Sequence, residues 1–369
     1  MEPDEAGGCD ISVMKTFYPH TMQGFDKLNR PILWEMDGKI NAQAIATMTT
    51  KEGLLGYHFW TMNTKLDSQF TRAKDRSPLP GTWSDSGRES KESNKPATVF
   101  NATEAEHAEK DNKYSSNPIN TIAVMDMTDF GMAQCTTMCM EQLKLFISTD
   151  NVCYPETLGK MLVVNAPMLL TATWNIVKGW LDPRTVNKIE ILSPAQSQAR
   201  IKEFVDIDNI PAQYGGKGPD LYSPHPDCEF LWLGRGGEVT REFVVPAGQH
   251  LTVDSYVSDG TVECSMSSRP VASSDETGMR RSSKGRGSFF GSSSTKAPAK
   301  GGDEVIIQGH MITPKDGLRE RYLKKIRLDG ASAHEVTVTW KNTSRYSQRP
   351  LVYAFTPFSP TAEETEETE

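Results

Sequence analysis

The 369-residue sequence predicts two folded units in series, an α/β domain with parallel strands and then an all-β antiparallel sandwich. Three observations predict it. Between residues 119 and 192 short apolar runs alternate with helical patterns in the order strand, helix, strand, helix, as parallel strands joined by crossovers require. After residue 226 the pattern changes to short alternating runs separated by glycine-containing turns, as in a sandwich. Two long polar stretches, 77–117 and 267–303, have too few apolar residues to build a core and read as largely disordered surface insertions.

Composition narrows the function. A hydrophobic content of 37% supports real cores, and a net charge of −8 argues against a general nucleic-acid binder. Cys9, Cys135, Cys139, Cys153, Cys228 and Cys264 form no CxxC pair and no regular framework, so they read as free thiols in a reducing compartment. Cys135 and Cys139 have no histidine nearby, and no metal site is expected. No apolar run reaches the about 20 residues that a spanning helix needs, so membrane contact is expected to be peripheral. The chain shows no nucleophile elbow, phosphate loop or metal-ligand spacing, so neither an enzyme nor a catalytic residue is expected.

The elements follow in order. Residues 1–10 read as a small, acidic, loose start. A loop over 17–30, turning at 26–29, leads into a strand over 31–36. Residues 44–72 read as one helix with Leu54, Leu55, His58, Phe59, Met62 and Leu66 on one face, where His58 reads as a core histidine. A strand over 119–126 and a helix over 134–148 precede residues 160–192, KMLVVNAPMLLTATWNIVKGWLDPRTVNKIEIL. Within them, residues 161–164 read as a buried strand ended by Asn165-Ala166-Pro167. Residues 168–181 read as a helix apolar around most of its girth. Such a helix is expected to bury more than one face, in a core or along an apolar cavity. Asp182 and Pro183 suit a helix cap and a first helical position, so 184–188 should form a new turn with Thr185 and Lys188 on one face. A hydroxyl and an ammonium there suit a phosphate beside an apolar wall, and a solvated corner is the open alternative.

VVNAP, the apolar helix, WLDPRTVNKI and IPAQYGG (210–216) resemble the CRAL-TRIO family. That family includes the phosphatidylinositol and phosphatidylcholine transfer proteins of the secretory pathway and their tocopherol- and squalene-associated relatives. Gly24, Asp26, Lys27, Arg30 and Pro31 fill a family pattern that leads into the first strand, and their charges read as a satisfied turn. The resemblance implies a mobile gate helix over a lipid pocket, lined here by Met168, Leu169, Ala172, Trp174, Ile176 and Val177. It also implies headgroup residues at Glu156, Thr185 and Lys188. The arginine that follows the glutamate in phosphatidylinositol-binding relatives is Thr157 here, as in the tocopherol- and squalene-associated branch. The helical bundle that usually precedes the first strand is not found before residue 17, and the first headgroup arginine has no counterpart. A reduced member, or a natural chain that starts earlier, is expected.

Residues 339–355, TWKNTSRYSQRPLVYAF, resemble the closing strands of a GOLD domain. CRAL-TRIO followed by GOLD is the arrangement of the tocopherol-associated (supernatant protein factor) branch and of the patellins. The expected fold class is therefore an α/β CRAL-TRIO domain, with a mixed or parallel sheet flanked by helices, followed by an all-β GOLD sandwich. The expected organisation is a CRAL-TRIO domain over 11–218, a linker over 219–226, a sandwich over 227–358 and an acidic tail over 359–369. Inside the second insertion Arg280, Arg281, Lys284 and Arg286, with Phe289 and Phe290, suit contact with an anionic membrane surface. The implied function is to bind a single hydrophobic lipid, a phospholipid, a phosphoinositide or a tocopherol- or squalene-like molecule. The chain would transfer or present it at membranes in intracellular trafficking. It would act from the cytoplasm, peripheral on intracellular membranes, with a bound lipid, no other cofactor and no nucleic acid. The alternative is a trafficking scaffold with a degenerate pocket, acting on a protein partner through the GOLD domain.

Overall fold

The computed structural model describes residues 7–28, 30–74, 120–221, 224–271, 304–315, 318–329 and 331–359, with the backbone alone over 65–74. Two compact units emerge. One is built from Phe17–Ala42 and Leu54–Ser223, the other from Gly7–Thr16, Gln43–Gly53 and the chain from Pro224 on. Among the described residues the helices are α1 (Ile11–Phe17), α2 (Ala42–Met48), α3 (Lys51–Lys74), α4 (Thr137–Cys153), α5 (Leu169–Val177), α6 (Pro183–Asn187) and α7 (Pro194–Phe204).

The first unit is an α/β structure around a mixed sheet. β1 (His20–Phe25) runs antiparallel to β2 (Pro31–Glu35). From β2 the sheet continues in parallel through β3 (Thr121–Asp126), β4 (Leu158–Val164) and β5 (Ile189–Ile191). Register places Trp34 beside Val124 and Val124 beside Leu162, so these side chains line one face. That face is sealed: Ile32, Trp34, Ile122, Val124, Leu162 and Val164 pack against Ile201 and Val205 at α7 and against Ile210, Tyr214 and Leu221. Alternation sends Met125, Met161 and Val163 to the opposite face. There the buried cluster is Met127, Val163 and Leu170, while Met125, Phe130, Met161 and Ile189 stay half-buried around it. Among the described residues the two faces are thus unequally filled.

The second unit is a sandwich of two antiparallel four-stranded sheets. One is ordered β10-β9-β12-β7 and the other β11-β8-β13-β6. Its strands are β6 (Cys228–Leu233), β7 (Glu238–Val245), β8 (His250–Val257), β9 (Val262–Pro270), β10 (Glu304–Ile312), β11 (Glu320–Ile326), β12 (His334–Asn342) and β13 (Arg349–Phe358). Both inner faces meet in one core that includes Val253, Val338, Trp340 and Phe355. Trp340 donates its indole N–H across that core to Ser255 Oγ at 3.0 Å, which satisfies the one polar atom the ring brings inside. On the outer side of β8 and β13, Asp254, Tyr256, Val352 and Ala354 are also buried. Their cover is the segment Gly7–Thr16. Asp10 donates its backbone N–H to Tyr256 Oη at 3.0 Å and caps α1 through Ser12 N at 2.8 Å, while Cys9, Val13 and Met14 are buried. Gln43 accepts from Trp232 Nε1 at 3.4 Å, and Ala46 O accepts from the Arg319 guanidinium.

Several expected boundaries move. Residues 7–16 and 43–53 belong to the sandwich unit rather than to a first domain over 11–218. Residues 7–10 are anchored rather than loose, because an outer sheet face that is apolar needs a cover. Leu221, expected in a linker, is buried in the α/β core. The helix over 44–72 is two helices, α2 and α3. The strand β9 continues to Pro270, so residues 267–270 are ladder and not insertion. Strands β1, β5, β10 and β11 were not anticipated, and all four lie at sheet edges. The first insertion, residues 280–300 and the acidic tail lie outside the described residues.

Candidate functional site

Parallel pairing brings together what precedes each strand. β4 and β5 are neighbours, with Met161 beside Ile189, so Glu156 before β4 and Lys188 before β5 reach the same N-terminal edge of the sheet. Glu156 sits in the left-handed region at φ 58°, a conformation that costs a non-glycine residue about 1 kcal/mol or more. Thr157 closes the turn beside it: its hydroxyl donates to Tyr154 O at 2.9 Å, and its carbonyl accepts from Thr121 N at 3.0 Å. The Thr157 hydroxyl is therefore committed to the backbone.

On the other side Asp182 caps α6. Its carboxylate accepts from Arg184 N at 2.8 Å, Thr185 N at 3.1 Å and Thr185 Oγ1 at 2.6 Å. The Thr185 hydroxyl bond holds the Asp182 carboxyl below its ordinary range. Lys188 N donates to Thr185 O at 3.0 Å, and this turn delivers the lysine to the start of β5. Lys188 Nζ then donates to Glu156 Oε2 at 2.9 Å, with the lysine side chain 8% exposed and the glutamate 47%. That hydrogen bond, with the lysine charge, lowers the Glu156 carboxyl. A third group joins them, for Arg184 Nη1 lies 3.6 Å from Glu156 Oε1. Of the expected headgroup residues, Glu156 and Lys188 meet directly, and Thr185 stands beside them with its hydroxyl turned to its own cap. Arg184 was not singled out from the sequence, although its place next to the Asp-Pro cap was the available signal.

The apolar helix takes a different form from the one expected. α5 ends at Val177 and passes into a 3₁₀ turn, Lys178–Trp180. Leu170 alone among its residues is fully buried, against Met127 and Val163 on the less filled face of the sheet. Trp174 and Val177 are half-buried, Leu169 and Ala172 are exposed, Met168 is 94% exposed and Ile176 56%. The helix thus buries one face and leaves the rest in solvent, instead of burying most of its girth. It is held at its polar strip, where Cys135 Sγ lies 3.6 Å from Thr173 Oγ1, and past its end, where Lys144 Nζ sits 5.8 Å above the Trp180 ring.

A second ionic group lies on the sealed face. Glu190 takes Arg200 Nη2 at 2.6 Å and Lys160 Nζ at 2.5 Å, and both cations also lie over the Phe204 ring. His58, read as a core histidine, stacks on Phe146 at 4.2 Å and bonds Asp150 Oδ1 at 2.7 Å. Among the described residues no group of acids, cysteines or histidines is arranged to hold a metal, and no helix is long and apolar enough to cross a membrane. Arg280, Arg281, Lys284, Arg286, Phe289 and Phe290, expected to contact membrane, lie outside the described residues.

A sequence profile of the family described as CRAL/TRIO domain matches residues 15–216, more than half of the 369-residue chain. Among curated proteins, the phosphatidylinositol/phosphatidylcholine transfer protein SFH4 of Arabidopsis thaliana is 28% identical over 258 residues, covering 68% of this chain and 36% of that protein. The phosphatidylinositol transfer protein CSR1 of Eremothecium gossypii is 34% identical over 105 residues, covering 28% and 23% respectively. The Sec14 cytosolic factor of Schizosaccharomyces pombe is 31% identical over 117 residues, covering 30% and 40%. The chain spans 40% or less of the length of each of these relatives.

Proposed function

Because the chain belongs to the CRAL/TRIO domain family, we propose that it binds one phospholipid molecule and exchanges or presents it at membranes. The acyl chains lie between the less filled face of the sheet and α5, and the headgroup lies at the Glu156–Lys188 corner. One observation carries this reading: α5 keeps Met168, Leu169 and Ile176 in solvent, and Met125, Met161 and Ile189 stay half-buried around the cluster that its Leu170 joins. Apolar surface left in water costs about 25 cal/mol per Å², and each acyl CH₂ that covers it contributes about 0.8 kcal/mol. In this reading the lipid completes a core that the protein leaves open, and α5 is the gate that moves to admit it.

The chain acts as a carrier and not as an enzyme, and the work of its polar groups is recognition. The sandwich, read as GOLD-like on the resemblance of residues 339–355, is where a protein partner docks. The basic segment 280–300 draws the chain to anionic bilayers as a peripheral protein, a role that unchanged vesicle binding after its deletion would remove. The test of the main reading is a transfer assay with purified protein, donor vesicles carrying labelled phosphatidylinositol or phosphatidylcholine, and unlabelled acceptors. Protein-dependent transfer of either lipid supports the carrier. Transfer of neither would favour the scaffold reading, in which the Glu156–Lys188 pair is a closed structural bridge.

A further inference from the structure

We propose that Arg184 is the residue that makes the headgroup corner prefer a net-anionic headgroup, such as phosphatidylinositol, over a zwitterionic one. The inference rests on the carrier reading and adds to it the residue that sets lipid class.

The corner holds a surplus of donors over acceptors. Asp182 is committed three times over to the cap of α6, through Arg184 N, Thr185 N and Thr185 Oγ1. Among the described residues Glu156 is then the remaining carboxylate of the corner, and it faces two cations, Lys188 at 2.9 Å and Arg184 at 3.6 Å. The nearest approaches of the Arg184 side chain, 3.6 Å to Glu156 and 3.8 Å to Asp182, are longer than a hydrogen bond. Its guanidinium, with five N–H donors, is 71% exposed beside the corner. Lys188 differs, being almost fully buried with its ammonium on Glu156. The lysine thus fixes the carboxylate from below, and the arginine is the cation still able to turn to an incoming anion.

Position 157 cannot take that part, since its hydroxyl closes the turn onto Tyr154 O. A phosphate arriving at the mouth gains a forked, charge-assisted contact from Arg184, worth more than the same contact from a lysine. A headgroup that carries its own quaternary ammonium brings a like charge to the guanidinium and loses most of that gain.

The experiment compares the full-length protein with Arg184→Gln and Arg184→Lys in transfer of labelled phosphatidylinositol and phosphatidylcholine. A third arm adds soluble inositol 1-phosphate as competitor. Arg184→Gln is expected to lower phosphatidylinositol transfer about tenfold while phosphatidylcholine transfer stays within about twofold, and Arg184→Lys to restore part of the loss. Equal transfer of phosphatidylinositol by wild type and Arg184→Gln would overturn the proposal, as would an equal fall for both lipids. Full competition by equimolar inositol 1-phosphate would place the recognised anion in solution and overturn its assignment to a lipid. Failure of the wild type to move either lipid is a separate result: it removes the carrier reading and the inference with it.

Discussion

Lys188 carries its charge on a side chain that is almost fully buried, and Glu156 is the group that makes this burial tolerable. The pairing leaves Lys188 beneath the half-exposed Glu156, on a carboxylate partner that a lipid phosphate can replace. Lys188→Ala is therefore expected to lower transfer of phosphatidylinositol at least tenfold and to leave a neutral apolar ligand unaffected, because only the phosphate needs the ammonium. Equal losses for the two would make the lysine structural. Glu190 offers a test of a different kind. Hydrogen bonds from Arg200 and then Lys160 outweigh its burial and hold its carboxyl at about 2 in place of 4.5. A folded-state value below the unfolded one contributes stability that is complete above pH 4.5 and is lost as pH falls toward 2. Thermal melts across that window should show wild type losing stability more steeply than Glu190→Gln; parallel curves would contradict the assignment. Both carboxylates were within reach of the sequence in different degrees. Glu156 followed from a family motif, whereas Glu190 depends on Arg200 coming over from α7, a contact with no local spacing to announce it. Gly216 in IPAQYGG is a middle case: a Cβ there would come 1.9 Å from Ile210 O, which explains the motif's second glycine only once the loop is folded.

Among the elements, α5 separates what hydrophobicity predicts from what packing delivers. Its apolar character was plain in the sequence, and so was the strand before it, since a short β-branched run ending in Asn-Ala-Pro has few alternatives. Which side chains would be buried was not legible, because the helix packs against a sheet face that is itself incomplete. The consequence is a split between stability and function along one helix. Leu170→Ala should cost about 2 kcal/mol or more of stability, as a buried leucine does, whereas Met168→Ala should leave the melting temperature unchanged and reduce lipid uptake. Calorimetry and the transfer assay on the two variants check this, and a Met168→Ala variant that melts early would contradict the exposed placement. The strands missed in the sequence share a cause. β11 reads ERYLKKI and β1 reads HTMQGF with a bulge at Gly24. Edge strands carry charges and irregularities that blunt their free side, and these erase the alternation by which a strand is recognised.

For the whole molecule, the unexpected feature is that the sandwich recruits residues 7–16 and 43–53. The signal lay in β13, where Leu351, Val352, Tyr353, Ala354 and Phe355 run apolar without alternation and are all buried. A strand of that kind needs cover on both faces. One face meets the opposing sheet, and the other meets the segment anchored by Asp10 on Tyr256, beside buried Asp254 and its half-buried partner Arg321 at 2.8 Å. Deleting residues 1–16 is expected to expose Tyr256 and Val352 and to yield a protein that aggregates or melts at lower temperature. An unchanged melt would show that the cover is dispensable. The two fold classes and most strands were readable from pattern, but the border between units was not, because chain order and spatial unit part company at the start of α2 and again in the first turn of α3.

In the carrier reading one phospholipid occupies the α/β unit with its headgroup at Glu156 and Lys188. Native mass spectrometry of the full-length protein, equilibrated with vesicles of mixed phosphatidylinositol and phosphatidylcholine and then separated from them, tests it most directly. A single lipid per chain is expected in the wild type, with phosphatidylinositol depleted in Lys188→Ala. A wild-type protein that emerges free of lipid, with the same mass before and after equilibration, would contradict it.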